Sequence, residues 1–170
     1  TVLSHLGLGL AWSMAPLGGW LAAASSSLGE AAALSGVEGL AASRSLADLG
    51  DIGWLWLFSL LWVAGFDIIY ATMDEAFDRQ EGLHSLPARI GKRRALQMAA
   101  LLHAGAFLSL IALWRIHLFS AVAVAWLFGI GAVFIWQHAI APRRPELAFF
   151  QLNAVIGFLV LGFVVTGSSV

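Results

Sequence analysis

Asp67-Ile68-Ile69-Tyr70-Ala71-Thr72-Met73-Asp74-Glu75-Ala76-Phe77-Asp78 closes an apolar run long enough to cross a membrane, then places four carboxylates within twelve positions. On an α-helix each residue turns about 100°, so Asp67, Tyr70, Asp74 and Asp78 fall inside an arc of roughly 80° while Glu75 points elsewhere. That face descends from within the bilayer to its edge. Carboxylates at membrane depth are costly, and three on one face repel one another. A divalent cation would compensate. Asp74 and Asp78, one turn apart, suit Mg²⁺, which keeps several waters and takes one or two carboxylates plus substrate phosphates. The plainer alternative is a helix end that snorkels its acids into water.

Composition agrees with a membrane reading. Hydrophobic residues make up 60% of the 170 and charged residues 11%, with a mean hydropathy of +0.86. Soluble domains carry about 25% charged residues. The sequence thus predicts an all-α, polytopic membrane helical bundle in a lipid bilayer. Five spans are expected, at 3–24, 52–72, 95–114, 119–140 and 147–166, the first interrupted by Pro16-Leu17-Gly18-Gly19. Positions 25–51 read least clearly, with a short surface helix over 29–49 as one option. There is no cysteine, and a net charge of −1 argues against a nucleic-acid partner. The chain opens at Thr1 in mid-hydrophobic sequence, so residues 1–170 are expected to be the C-terminal part of one membrane domain whose N-terminal helices lie upstream.

Arg79 to Arg94 forms a polar loop, and its bases lie beside the acids. Acids that hold Mg²⁺ next to bases that hold phosphate oxygens make a diphosphate site. The pattern D-x-x-Y-A-x-x-D-x-x-x-D over 67–78, followed by Gly82-x-x-Ser85 and then Gly91, resembles the second aspartate-rich motif of the UbiA superfamily of membrane prenyltransferases. The stretch from Ala15 to Trp20 is similar to a small-residue segment in that family's preceding helix, and Phe149 to Asn153 resembles a patch in the last helix of one branch of the family. His84-Ser85-Leu86-Pro87-Ala88-Arg89 resembles the branch linked to menaquinone made by the futalosine route, often labelled 4-hydroxybenzoate polyprenyltransferase-like.

The resemblance implies a protein of about nine helices that joins an isoprenoid diphosphate to an aromatic acceptor, of 4-hydroxybenzoate or dihydroxynaphthoate type, in ubiquinone or menaquinone biosynthesis. It implies Asp74 and Asp78 as Mg²⁺ ligands, and Asp67 and Tyr70 as catalytic candidates. It also implies Arg89, Lys92, Ser85 and His84 as diphosphate-binding candidates. The family's first motif, N-D-x-x-D, is absent, since no Asn-Asp dipeptide occurs. This chain alone is therefore expected to be inactive. His103, His138 and Asn153 read first as polar residues that hydrogen-bond between helices, and His5, near the start of the first span, as an interfacial or satisfied polar residue.

Charge orients the expected bundle. Alternating spans put Arg79, Arg89, Lys92, Arg93, Arg94, Arg143 and Arg144 on one side, against Arg44 and Arg115 on the other. By the positive-inside rule the motif loop faces the cytoplasm of, in this reading, a bacterial inner membrane. Two rivals compete. CDP-alcohol phosphatidyltransferases also use D-x-x-x-D, but need an Asp-Gly…Ala-Arg stretch that is missing here. A transporter would want acids on several helices, and here they cluster on one.

Overall fold

The computed structural model describes residues 2–35, 49–116, 118 and 120–167, and every regular element among them is a helix. The long elements are α1 (Val2–Ser35), α2 (Leu49–Ala71), α5 (Lys92–Ile116), α6 (Ala121–Ile140) and α8 (Gln151–Gly167). Three short helices lie between them: α3 (Glu75–Gln80), α4 (Leu86–Ile90) and α7 (Pro145–Phe149). Among the described residues, four spans are long and apolar enough to cross a membrane: Ile52–Ala71, Lys92–Ile116, Ala121–Ile140 and Pro145–Gly167. These coincide with the last four expected spans.

Two expectations need correction. Pro16 does not interrupt the first helix, because α1 runs through it from Val2 to Ser35. Proline removes one backbone hydrogen bond, and an otherwise apolar helix can absorb that loss. Positions 25–35 belong to α1 rather than to a separate surface helix. The rest of that expectation, at 36–48, lies outside the described residues.

Helix α2 is the hub. Its main packing partners are α1 and α5, while α6 packs chiefly on α8. Large apolar side chains point outward, with Phe128 at 77% and Ile135 at 75% exposure. Such a surface is stable against lipid and not against water. The interior is in two parts. Phe58, Leu110, Ile130, Phe134, Ile156 and Phe163 fill one end, and Ile68, Ile69, Leu86, Ala95, Ala99, Ala141 and Ala148 fill the end near the polar loop.

A set of polar bonds joins five helices, α2, α5, α6, α7 and α8. In His103, Nε2 lies 3.1 Å from the Trp62 carbonyl and Nδ1 lies 2.9 Å from Nε2 of His138. A carbonyl only accepts, so His103 carries its proton on Nε2 and accepts at Nδ1 from His138. Asn153 Oδ1 accepts from Gln137 Nε2 at 2.9 Å and from Trp62 Nε1 at 3.3 Å, and its amide donates to the Phe149 carbonyl at 2.7 Å. Gln137 Nε2 also donates to the Ala148 carbonyl at 2.8 Å. These are helix-to-helix bonds, the role expected for His103, His138 and Asn153.

Candidate active site

Helix α2 ends at Ala71 for a local reason. The Thr72 hydroxyl donates to the Ile69 carbonyl at 2.7 Å, and Met73 N donates to the Tyr70 carbonyl at 2.9 Å. A hydroxyl that captures a carbonyl near a helix end competes with continuation of the helix. The chain then turns through Thr72–Asp74, and α3 starts at Glu75. This corrects the single continuous face. Asp67 and Tyr70 share a face of α2, and Asp74 and Asp78 are one turn apart at the start of α3. The turn between the two pairs resets the angle, so one helical arc does not describe all four.

The positions of the acids differ. Asp74 is exposed and occupies the N-cap position of α3, yet its side chain makes no capping bond. Asp78 is half-buried. Among the described residues neither takes part in an ion pair, whereas Glu75 pairs with Arg79 at 2.9 Å. Asp67 is half-buried, and its Oδ2 lies 2.5 Å from Nδ1 of His5 on α1. Among the described residues no group of three His, Asp or Glu side chains gathers closely enough to enclose a metal.

The loop after Asp78 is built by turn chemistry. Leu83 N donates to the Asp78 carbonyl at 2.7 Å, and Gly82 N reaches the Arg79 carbonyl at 3.4 Å. With φ +68 at Gly82, this is the Schellman arrangement that ends α3. Ser85 then caps α4 by accepting from Ala88 N at 3.3 Å, and Pro87 sits in the first turn of that helix. Gly91, at φ +84, ends α4 and lets α5 begin at once. The Gly82-x-x-Ser85…Gly91 spacing therefore has a backbone explanation. Ser85 is occupied as a cap, His84 and Arg89 are exposed, and Lys92 is half-buried.

Lys92 and Arg93 line a groove of about 480 Å³ together with His138 and Pro142. Residues of the 79–94 and 141–146 segments thus meet at one end of the bundle. This groove, a second cavity of about 410 Å³ at His103, and a third of about 260 Å³ beside His5 and Ile68 contain none of Asp67, Tyr70, Asp74 or Asp78 in their walls.

Aromatic rings approach the acids from α2 and α7. Phe66 and Tyr70 meet Phe149 at ring-centroid distances of 5.5 and 4.8 Å, and Trp62 meets Phe66 at 5.7 Å. Tyr70 is exposed at 42%. Such faces attract a cation. The sequence named Tyr70 as a catalytic candidate but gave Phe149 no such role. It also missed Gln137 and the partner of Asp67. A histidine facing an intramembrane acid was the available signal for that partner, but pairing across 62 positions needs the tertiary fold.

The sequence pattern of the UbiA prenyltransferase family matches residues 1–155. A 4-hydroxybenzoate solanesyltransferase from Synechocystis sp. is 31% identical over 136 residues, covering 74% of this chain and 44% of that protein. The chain thus spans less than half the length of the curated relative it matches. No solved structure matches it.

Proposed function

This chain belongs to the UbiA prenyltransferase family, and on that premise we propose that the protein transfers a polyprenyl group from an isoprenoid diphosphate to an aromatic acceptor of the 4-hydroxybenzoate or dihydroxynaphthoate type, in quinone biosynthesis. The observation that carries this reading is the family match across 1–155, which includes the whole acid-bearing segment. The relative, a 4-hydroxybenzoate solanesyltransferase, supports the acceptor class. By the charge count the motif loop faces the cytoplasm.

Asp74 and Asp78 fit a Mg²⁺ ion shared with a diphosphate. Both are hard oxygen donors, one turn apart, and neither has an ion-pair partner among the described residues. Two carboxylates do not complete a coordination shell, which suits an ion that keeps water and phosphate ligands. Asp74 and Asp78 would hold the ion, and it would supply positive charge against the departing diphosphate.

The chain's own residues supply the rest. Arg89 and Lys92 attract phosphate oxygens, with His84 and Ser85 at the entrance of the same loop. As the allylic C–O bond breaks, the pair of electrons leaves with the diphosphate and an allylic cation remains. The faces of Phe66, Tyr70 and Phe149 stabilise that cation and keep water from it. In this reading Asp67 and Tyr70, the catalytic candidates, are assigned to the acceptor. The ring carbon bonds to the cation and the ring then releases one proton, restoring aromaticity.

The test is prenyl transfer by the full-length protein in membranes across a Mg²⁺ titration. Asp74→Asn and Asp78→Asn remove charge the metal needs. A metal contributes several kcal/mol and each ~1.4 kcal/mol is tenfold, so losses on the order of a hundredfold are expected. Glu75→Gln, which removes only a one-turn pair with the exposed Arg79, should be nearly silent. Wild-type turnover in both Asn variants alongside a dead Glu75→Gln would refute the assignment.

A further inference from the structure

The His5–Asp67 contact is a second device within the site, and its consequence rests on the prenyl-transfer reading. Helix α1 presents His5, Gly9 and Ser13 on one buried face, at one-turn intervals. A Cβ at Gly9 would collide with the Leu60 carbonyl oxygen and would stand 3.2 Å from the Ala64 Cβ. So Gly9 sets a close backbone approach at Leu60–Ala64, and His5, one turn back along α1, reaches Asp67, about one turn further along α2. The two helices run antiparallel here, and the glycine fixes their distance. His5 is 7% exposed, and its ring is held where it meets Asp67 Oδ2 through Nδ1. A carboxylate accepts, so Nδ1 donates.

An aspartate at this depth carries a charge that lipid does not solvate. A lysine or arginine partner would be flexible. An imidazole differs because it is rigid and offers one directed N–H from this nitrogen. It fixes the rotamer of Asp67 and takes one oxygen. Among the described residues the other oxygen has no hydrogen-bond partner, and Tyr70 stands one turn on along α2. We propose that His5 is a positioning residue. It locks the Asp67 carboxylate in the orientation that receives the hydroxyl end of the aromatic acceptor, and it does not contact the diphosphate.

The proposal is tested on the full-length protein with His5→Leu, His5→Asn, Asp67→Asn and the double variant His5→Leu/Asp67→Asn. An asparagine amide N–H stands close to where Nδ1–H stands, so His5→Asn is the conservative variant. Prenyl transfer is measured with the isoprenoid diphosphate and the aromatic acceptor varied separately. His5→Leu should lower kcat/KM for the acceptor by roughly tenfold or more while leaving KM for the diphosphate unchanged. His5→Asn should recover most of that loss. Equal impairment of both variants, or equal effects on both substrates, would overturn the proposal. Thermal unfolding of the wild type, His5→Leu, Asp67→Asn and the double variant is followed in parallel. Non-additive shifts support the contact, and additive shifts overturn it whatever the activity. A wild-type protein without prenyl transfer would overturn the functional reading and the role of His5 in it, while the unfolding cycle still judges the contact itself.

Discussion

Gly65→Ala tests the packing of α2 on α5. A Cβ there would collide with the His103 imidazole and would stand 3.2 Å from the Ala99 carbonyl oxygen. The imidazole cannot simply step aside. It is 2% exposed and held by the Trp62 carbonyl and by His138. Two responses are open. If the ring leaves, two hydrogen bonds are lost at roughly 1 kcal/mol each. If the ring stays, the helices part, and overpacking of this kind costs about 1–3 kcal/mol. Alanine offsets up to ~1 kcal/mol through its better helix propensity. The net loss is therefore up to about 2 kcal/mol. Gly53→Ala is the control in the same helix, where an added Cβ meets nothing within 4 Å. It should be neutral or stabilise by up to ~1 kcal/mol. The assay is thermal or denaturant unfolding of the purified protein in detergent. His103→Ala removes the obstacle, so in that background Gly65→Ala should lose most of its penalty. If Gly65→Ala stabilises as Gly53→Ala does, or if His103→Ala gives no relief, the packing argument is wrong.

Further outcomes are expected. Asn153→Leu takes partners from the Trp62 indole N–H and the Gln137 amide and should destabilise by about 1–3 kcal/mol in the same unfolding assay. Ser85→Ala removes the cap of α4 and should cost about 1 kcal/mol. If Ser85 acts only as a cap, Ser85→Asn, which also caps and adds no charge beside the bases of the loop, should keep turnover near wild type; a collapse of turnover with intact folding would assign it to the diphosphate instead. The isolated 170-residue chain should show no prenyl transfer with Mg²⁺, an isoprenoid diphosphate and an aromatic acceptor, because it carries one aspartate-rich motif and no Asn-Asp dipeptide. Turnover by that chain would contradict the requirement for two motifs.

What the sequence determined by itself was what is local or periodic. Four apolar runs made four spans because lipid leaves backbone polar groups no partners outside a helix. The acid pattern with its following glycines and serine was readable because turn chemistry acts over a few residues: Gly82 and Gly91 take positive φ, and Ser85 caps. Tertiary structure decided the rest. The 100° rule carried the face of Asp67 and Tyr70, but it could not show that Thr72 would take the Ile69 carbonyl and end the helix before Asp74. It could not show that Pro16 would be absorbed within α1. His5 lies 62 positions from Asp67, and Trp62 lies 91 from Asn153. Such pairings depend on which helix faces which and at what distance. In lipid that is set by glycine contacts such as Gly9 and Gly65 and by buried polar bonds, because apolar helix surfaces alone discriminate little between a neighbouring helix and the surrounding hydrocarbon.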